Sequence, residues 1–446
     1  MFWLSTPWRR RLVVASLGVV LGALVALLEV GVALVAPSML AVLVLYLLVR
    51  HLDVREEGAP PSRMMWWTMV AFGAHLAFGL VVTHAGGLIS DFLKAPDTYT
   101  YMIKAFRITQ HWQGDFPLPL LPGGKEGYYY LLAGVYWVFG VHSVAGLVLN
   151  ALLGAALVPI MSDTTRRLFG PAAAARVAPL VLLLPSMMLW PSQLIKEAPI
   201  LFLIAVALNG AVRVTHRFTL LPLSVVAVST ALLLTFRGHV ALVLAGGLVA
   251  AIVIGRREVL GGVGTGLVMA SLVVMLLSFG LGYSGFDAAV NTDLDQANIV
   301  RRDLALSGRS GYDADVDIST SSQALSYLPR GLANFMLGPF PWQIRGIRQL
   351  PVLPDMIVWW ALLPSLWRGF RLAWTRISRR VFVLVLPALT TACLLSLAIG
   401  NFGTLVRERL QVVILLIPLI ALGLAQRRSE PPDQAETPAG ELVLVR

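Results

Sequence analysis

Asp97 follows Pro96 and opens a segment in which Tyr99, Met102, Ile103 and Phe106 fall on one helical face, with Lys104, Arg107 and His111 elsewhere. That pattern predicts an amphipathic helix lying at a membrane surface. A carboxylate held between apolar and aqueous phases can accept a proton from a sugar hydroxyl while a lipid-borne leaving group sits alongside. The ordinary alternative is that an Asp at a helix start caps the amides two or three residues on. Asp91 and Glu126 flank the same segment, and Lys125 precedes the aromatic group Tyr128, Tyr129 and Tyr130. Such a group is expected as an interfacial belt or, more sharply, as a sugar-stacking surface, with Tyr101, Lys125 and Tyr128 as candidate substrate contacts.

A second break is Trp190-Pro-Ser-Gln-Leu-Ile-Lys196-Glu197, where two ionisable groups interrupt apolar sequence. Adjacent side chains point about 100° apart on a helix, so these two need not pair with each other. Charge at membrane depth points to function, with snorkelling as the alternative for Lys196. Further cations stand in Phe236-Arg-Gly-His239 and Arg407-Glu-Arg409. A permanently charged, forked guanidinium suits a phosphate or pyrophosphate. Arg407, Arg409, Arg237 and Lys196 are therefore the candidate phosphate ligands, and His239 and Glu197 candidate substrate contacts. Pairing of either late arginine with Glu408 or a loop acid is the structural alternative. Asp313-Ala-Asp315-Val-Asp317 starts like a calcium loop, but Ile318 stands where the turn glycine belongs and no terminal glutamate follows. No metal site is assigned, and a divalent cation has no support. Gly338-Pro-Phe-Pro-Trp342 is rigid and aromatic, suited to lie on a membrane or wall a pocket. Walker loops, nucleophile elbows and zinc-spaced histidines are absent from the sequence.

Composition decides what kind of element positions these groups. Of 446 residues, 57% are hydrophobic and 13% charged, too little polar surface to cover a soluble body. Apolar blocks of roughly 17–25 residues alternate with short charged punctuation, the length that carries a helix across about 30 Å of hydrocarbon. Runs such as Leu180 to Leu184 are apolar on every side, which rejects a β-barrel. The expected fold is all-α, a polytopic transmembrane helical bundle of about 11–13 spans. The spans fall at Leu12–Leu28, Val32–Val49, Met64–Thr83, one or two within Tyr128–Met161, Val177–Trp190, Pro199–Val212, Leu220–Phe236, Val240–Ile254, Val259–Leu281, Met356–Trp367, Val381–Ile399 and Val412–Ala425. Residues 1–63 would hold two N-terminal spans and a cytoplasmic loop, 64–425 the core with long outer loops at 84–127 and 282–354, and 426–446 a disordered cytoplasmic tail.

Basic clusters at Arg9–Arg11, Arg50–Arg63, Arg166–Arg176, Arg213–Arg217, Arg256–Arg257, Arg368–Arg380 and Arg427–Arg428 all fall on the cytoplasmic side under the positive-inside rule. One joint is loose: Tyr128–Met161 is long enough for a helical pair, yet the rule allows only an odd number of crossings there. Arg237, Arg407 and Arg409 then stand at outer span ends, against the rule, so topology does not explain them. The net charge of +11 is dispersed over span ends rather than gathered, which argues against nucleic acid. Cys393 is the only cysteine, so no intrachain disulfide or thiolate cluster is possible within the sequence.

Taken in order, Asp97-Thr-Tyr-Thr-Tyr101, Tyr128 to Gly140, Arg167-Leu-Phe-Gly170, Pro185 to Glu197, Phe236-Arg-Gly-His239 and Arg407-Glu-Arg409 resemble the GT-C superfamily of membrane glycosyltransferases. Specifically, they look like the bacterial enzymes related to protein O-mannosyltransferases and aminoarabinose transferases. The resemblance covers roughly residues 88–425 and rests on the order of the motifs. It implies a polyprenyl-phosphate sugar donor, an active site on the extracytoplasmic face of a bacterial-type inner membrane, and an aspartate base carried onto Asp97. Expected partners are that donor, membrane lipids, and a glycan, lipid or protein acceptor in cell-envelope polysaccharide biosynthesis, with no cofactor assigned. Two spans precede the first outer loop where one is usual, and a paired acidic motif is absent, which leaves metal dependence and acceptor class open. The alternatives are a polysaccharide polymerase or ligase, a transporter or flippase of lipid-linked substrates, and a non-catalytic scaffold. A transporter should carry charges at mid-span, whereas these gather at span ends.

Overall fold

Without water to satisfy amides and carbonyls, an apolar block closes its hydrogen bonds internally, and each long block among the described residues is helical. The computed structural model describes residues 32–52, 62–84, 86–87, 92–121, 125–255, 294–307, 310–344 and 346–426. The expected spans Leu12–Leu28 and Val259–Leu281, Asp91, and the tail beyond residue 426 lie outside those residues. Among the described residues, seven helices are long and apolar enough to cross a membrane.

Helices α1 (Val32–Leu52) and α2 (Ser62–His84) form one edge of the bundle and expose most of their surface. Next come α3 (Asp97–Gln113) and α4 (Glu126–Phe139), packed on each other. With 14 residues, α4 is too short to span about 30 Å. The crossing that follows is α5 (Ser143–Phe169), so the stretch Tyr128–Met161 holds a short helix and one span, the odd number that the charges require.

The expected span Val177–Trp190 is broken. It consists of α6 (Pro171–Ala174), α7 (Val177–Leu183) and α8 (Pro185–Leu189), followed by an irregular, buried stretch from Trp190 to Lys196. Pro185 forces the break: the residue before a proline is driven out of the helical region, and Leu184 sits at φ −75°, ψ 113°. Helix α9 (Glu197–His216) then crosses the centre.

Helix α10 (Leu220–Gly255) contains one non-helical residue, Arg237, at φ −161°, ψ 85°. The chain reverses there. Gly247, ten positions later, packs against Pro387 and Thr390 deep in the bundle rather than projecting beyond it. The two expected spans Leu220–Phe236 and Val240–Ile254 are thus the arms of this reversal.

Helices α11 (Leu294–Ser307) and α12 (Ser321–Leu337) lie between the crossings. A straight helix as long as α13 (Leu353–Ala398) would measure about 69 Å. Both of its ends sit at the head of α14 (Phe402–Gln426), Asp355 against Arg409 and Ala398 leading directly into Phe402, so α13 crosses and returns. Its first half packs closely along α14. A Cβ on Gly369 would strike the Leu419 carbonyl and one on Gly423 the Ser365 carbonyl, so only glycine lets these backbones approach.

Helices α5, α9 and α14 are buried on most sides and form the core of the bundle. One end of it is fastened by Asp163, whose buried carboxylate accepts from Arg166 at 3.0 Å, Arg167 at 2.8 Å, Arg213 at 2.7 Å and Asn209 at 3.0 Å. The opposite end carries the residues that could do chemistry.

Candidate active site

Pro96, with φ fixed near its ring value, leads into α3, and Asp97 is the first helical residue. Pro96, not Asp97, takes the N-cap position. Instead Asp97 Oδ2 accepts from Arg407 Nη1 at 3.0 Å, joining positions 310 residues apart. Arg407 Nε also lies 3.1 Å from Glu197 Oε1, within ion-pair range. Arg237 reaches the same Glu197 oxygen at 3.5 Å and Glu408 at 3.0 Å. Two guanidiniums therefore flank one carboxylate that is 3% exposed, while the Asp97 side chain is 49% exposed.

Arg237 and Lys196 are held at breaks in regular structure, whereas Arg407 stands on α14. The reversal at Arg237 takes the Phe236 carbonyl out of the helical ladder, and Lys196 Nζ donates to that oxygen at 3.0 Å. Trp190 faces Arg407, its ring centroid 6.0 Å from the guanidinium carbon. Irregular backbone at membrane depth survives only where protein satisfies it. Asn150 does so here, donating to the carbonyls of Gln193 and Ile195 and accepting from Tyr128 at 3.3 Å. Gln193 accepts from the Ala95 amide at 2.7 Å and donates to the Leu93 carbonyl at 3.0 Å, tying the approach to Asp97 onto this stretch. Ser192 sits 2.9 Å from Nδ1 of His75, nine positions before the end of α2, so the stretch dips well below the helix ends.

The site also holds unused hydrogen-bonding capacity. Glu197 Oε2, Trp190 Nε1 and Thr98 Oγ1 are buried with no hydrogen-bond partner among the described residues. Buried polar atoms rarely stay unpaired unless something else visits them. Tyr101 packs edge-on to Tyr128, centroids 4.9 Å apart, and against Tyr129 at 5.2 Å. Burial first, then the Glu197 and Asp97 carboxylates, push the Tyr101 phenol well above its usual range and keep it a proton donor.

The residues singled out in the sequence divide. Asp97, Lys196, Glu197, Arg237 and Arg407 come together, with Tyr101 beside them. Tyr128 is buried and spent on Asn150. Lys125 stands before α4, close enough to add to the positive field at Lys196. His239 is exposed beyond the reversal, within electrostatic reach of Arg237 and Glu408.

Arg409 is placed elsewhere. Residues two apart on a helix face opposite ways, and Arg409, 2% exposed, turns to Asp355 at 3.4 Å and the Gly338 carbonyl at 2.7 Å. It anchors the Gly338-Pro-Phe-Pro-Trp342 loop, in which Phe340 and Trp342 stack at 4.8 Å. Two acids of the calcium-like stretch are committed to neighbouring groups, Asp313 to Arg330, Tyr327 and Asn334 of α12, and Asp317 to Asn298 of α11 and the Ser319 amide. Among the described residues, no three His, Cys, Asp or Glu side chains gather as a metal ion would need. Sequence reasoning missed Asn150 and Gln193. Asn150 carried a readable signal, as a lone amide in the apolar run Val144 to Ile160.

No protein-family model and no curated protein matches the chain. Two crystal structures of ArnT from Cupriavidus metallidurans share its architecture. The one bound to undecaprenyl phosphate superposes with a TM-score of 0.53 at 16% identity over 83% of this chain. The apo structure gives 0.50 at 17% over 81%. The chain shares the fold of ArnT. It spans about 60% of the length of those two ArnT chains. Within this bundle, the Asp97 and Arg407 cluster lies where α3 meets the head of α14.

Proposed function

We propose that this protein transfers a sugar from a polyprenyl-phosphate donor to a hydroxyl acceptor on the extracytoplasmic face of the membrane. The observation that carries this reading is the convergence of a half-exposed carboxylate, two guanidiniums and buried, unpartnered polar atoms in one place. The fold, shared with a protein crystallised with undecaprenyl phosphate, supports a polyprenyl-phosphate ligand. Arg407 and Arg237 would neutralise the donor phosphate, with Lys196 adding charge from behind. Within the cluster the carboxylates already balance the guanidiniums, so an arriving phosphate must displace one of them. Asp97 is the most exposed acid and the one that yields. Released from Arg407, it is free to take the acceptor proton as the hydroxyl attacks the sugar and the lipid phosphate departs. The positive-inside rule places the Asp163 end, rich in arginine, in the cytoplasm and the Asp97 end outside.

A transporter of lipid-linked substrates is the second reading, favoured by the broken, buried stretch at Trp190 to Lys196 that ends in two charges. One experiment separates them. Purified protein in lipid is given radiolabelled polyprenyl-phosphate sugars and crude envelope acceptor, beside the Asp97→Asn variant. Transfer that falls at least about a hundredfold in the variant, with donor binding retained, supports the transferase. Donor consumed by neither protein, while labelled lipid still moves between leaflets of vesicles, establishes the transporter instead.

A further inference from the structure

We infer that a groove between α7, the first half of α13 and the end of α14 binds an anionic phospholipid, its phosphate on Arg176 and an acyl chain along the groove floor. The cavity measures about 420 Å³ and is lined by Arg176, Leu180, Leu183, Val358, Leu362 and Leu424, among others. It lies outside the cluster around Asp97 and shares no residue with it. Arg176 directly precedes α7 at the Asp163 end, and from there to Leu184 the wall runs about 12 Å into the bundle. Leu183 is largely exposed on the open side, where a chain would enter.

Arg176 differs from the arginines near it. Arg166, Arg167 and Arg213 all converge on Asp163. Arg176 makes no ion pair with a described residue, and its Nε is buried without a hydrogen-bond partner. A guanidinium beside leucine walls and lacking an acid is costly, and a phosphate diester offers it two oxygens in matching geometry. The Asp163 end is the one the charge rule places toward the cytoplasm, where the leaflet carries anionic lipid. The same lipid phosphate cannot occupy Arg407 and Arg176, which stand at opposite ends of the bundle. Phospholipid is the abundant anionic lipid of that leaflet, which makes it the occupant, and the inference stands whether or not the transferase reading does.

Native mass spectrometry of protein released from nanodiscs of mixed phosphatidylglycerol and phosphatidylcholine tests it. The expected result is one phosphatidylglycerol retained per chain in preference to phosphatidylcholine. Retention should fall roughly tenfold in Arg176→Gln, and comparably in Leu180→Trp, which fills the groove. Arg176→Lys should keep part of it, and Arg407→Gln all of it. A thermal melt shows that each variant is folded, and Arg176→Lys carries the test if Arg176→Gln is not. Equal retention by Arg176→Gln and the unaltered protein would overturn the proposal. So would an unaltered protein that retains no phospholipid, the result if another part of this chain fills the groove. Recovery of a polyprenyl phosphate that is lost with Arg407→Gln would overturn it as well.

Discussion

Arg407 and Arg409 differ by two positions, and that offset separates a group facing a cleft from a group sealed in the core. Arg407 keeps some exposure and pairs with acids that a ligand could displace. Arg409 is enclosed by Asp355, Met356 and the Gly338 carbonyl. Their substitutions should fail differently. Arg407→Gln is expected to cut sugar transfer by about 10²–10³-fold with little change in melting, and Arg407→Lys to recover only part, because the fork is lost. Arg409→Leu strands the Asp355 carboxylate and should cost about 3–5 kcal/mol of stability, read as a lowered melting temperature in detergent. Parallel transfer and melting assays distinguish the two outcomes. The sequence grouped these arginines because both are forked cations near a span end; side-chain direction, not residue type, divides them. Asp97, Glu197, Arg237 and Lys196 were legible because a charge inside apolar sequence needs a reason. Gln193 was not, since its role lies in which backbone groups of Leu93 and Ala95 it meets, and neither is visible until the chain has folded.

At the scale of elements, the crossings were readable wherever a charged break separated apolar runs. The pair of arms meeting at Arg237 was foreseen for that reason. The stretch Val177 to Trp190 was drawn as one span because hydropathy does not register the bend that Pro185 imposes on Leu184. Those two irregularities hold the site, Arg237 by its own backbone and Lys196 through the carbonyl the reversal frees. The rest of the scaffold depends on close packing, since lipid gives helices no hydrophobic reason to associate. Gly423→Leu should push α13 off α14 and cost about 1–3 kcal/mol or more, whereas Gly246→Leu, with open space beside it, should be nearly neutral. Size-exclusion recovery after graded heating checks the pair; equal loss in both would deny that the glycine contact carries the packing.

At the scale of the whole molecule, one arginine-rich end and one end bearing Asp97 define an orientation. In a Cys393→Ser background, Tyr99→Cys should react with a membrane-impermeant maleimide on intact cells and Arg217→Cys only after lysis, since both positions are exposed at opposite ends. The reverse pattern would turn the site toward the cytoplasm and remove the extracytoplasmic part of the proposed function. The pair between Asp97 and Arg407 also has a bearing on biosynthesis. A ribosome adding about 5–20 residues per second needs roughly 15–60 s to cover the 310 positions between them. From the synthesis of Arg237 until that of Arg407, Glu197 has one guanidinium instead of two, and Asp97 has none. Inserted chains therefore contain every early part of the cluster but no completed cleft, and the cluster is completed in one step, when α14 docks.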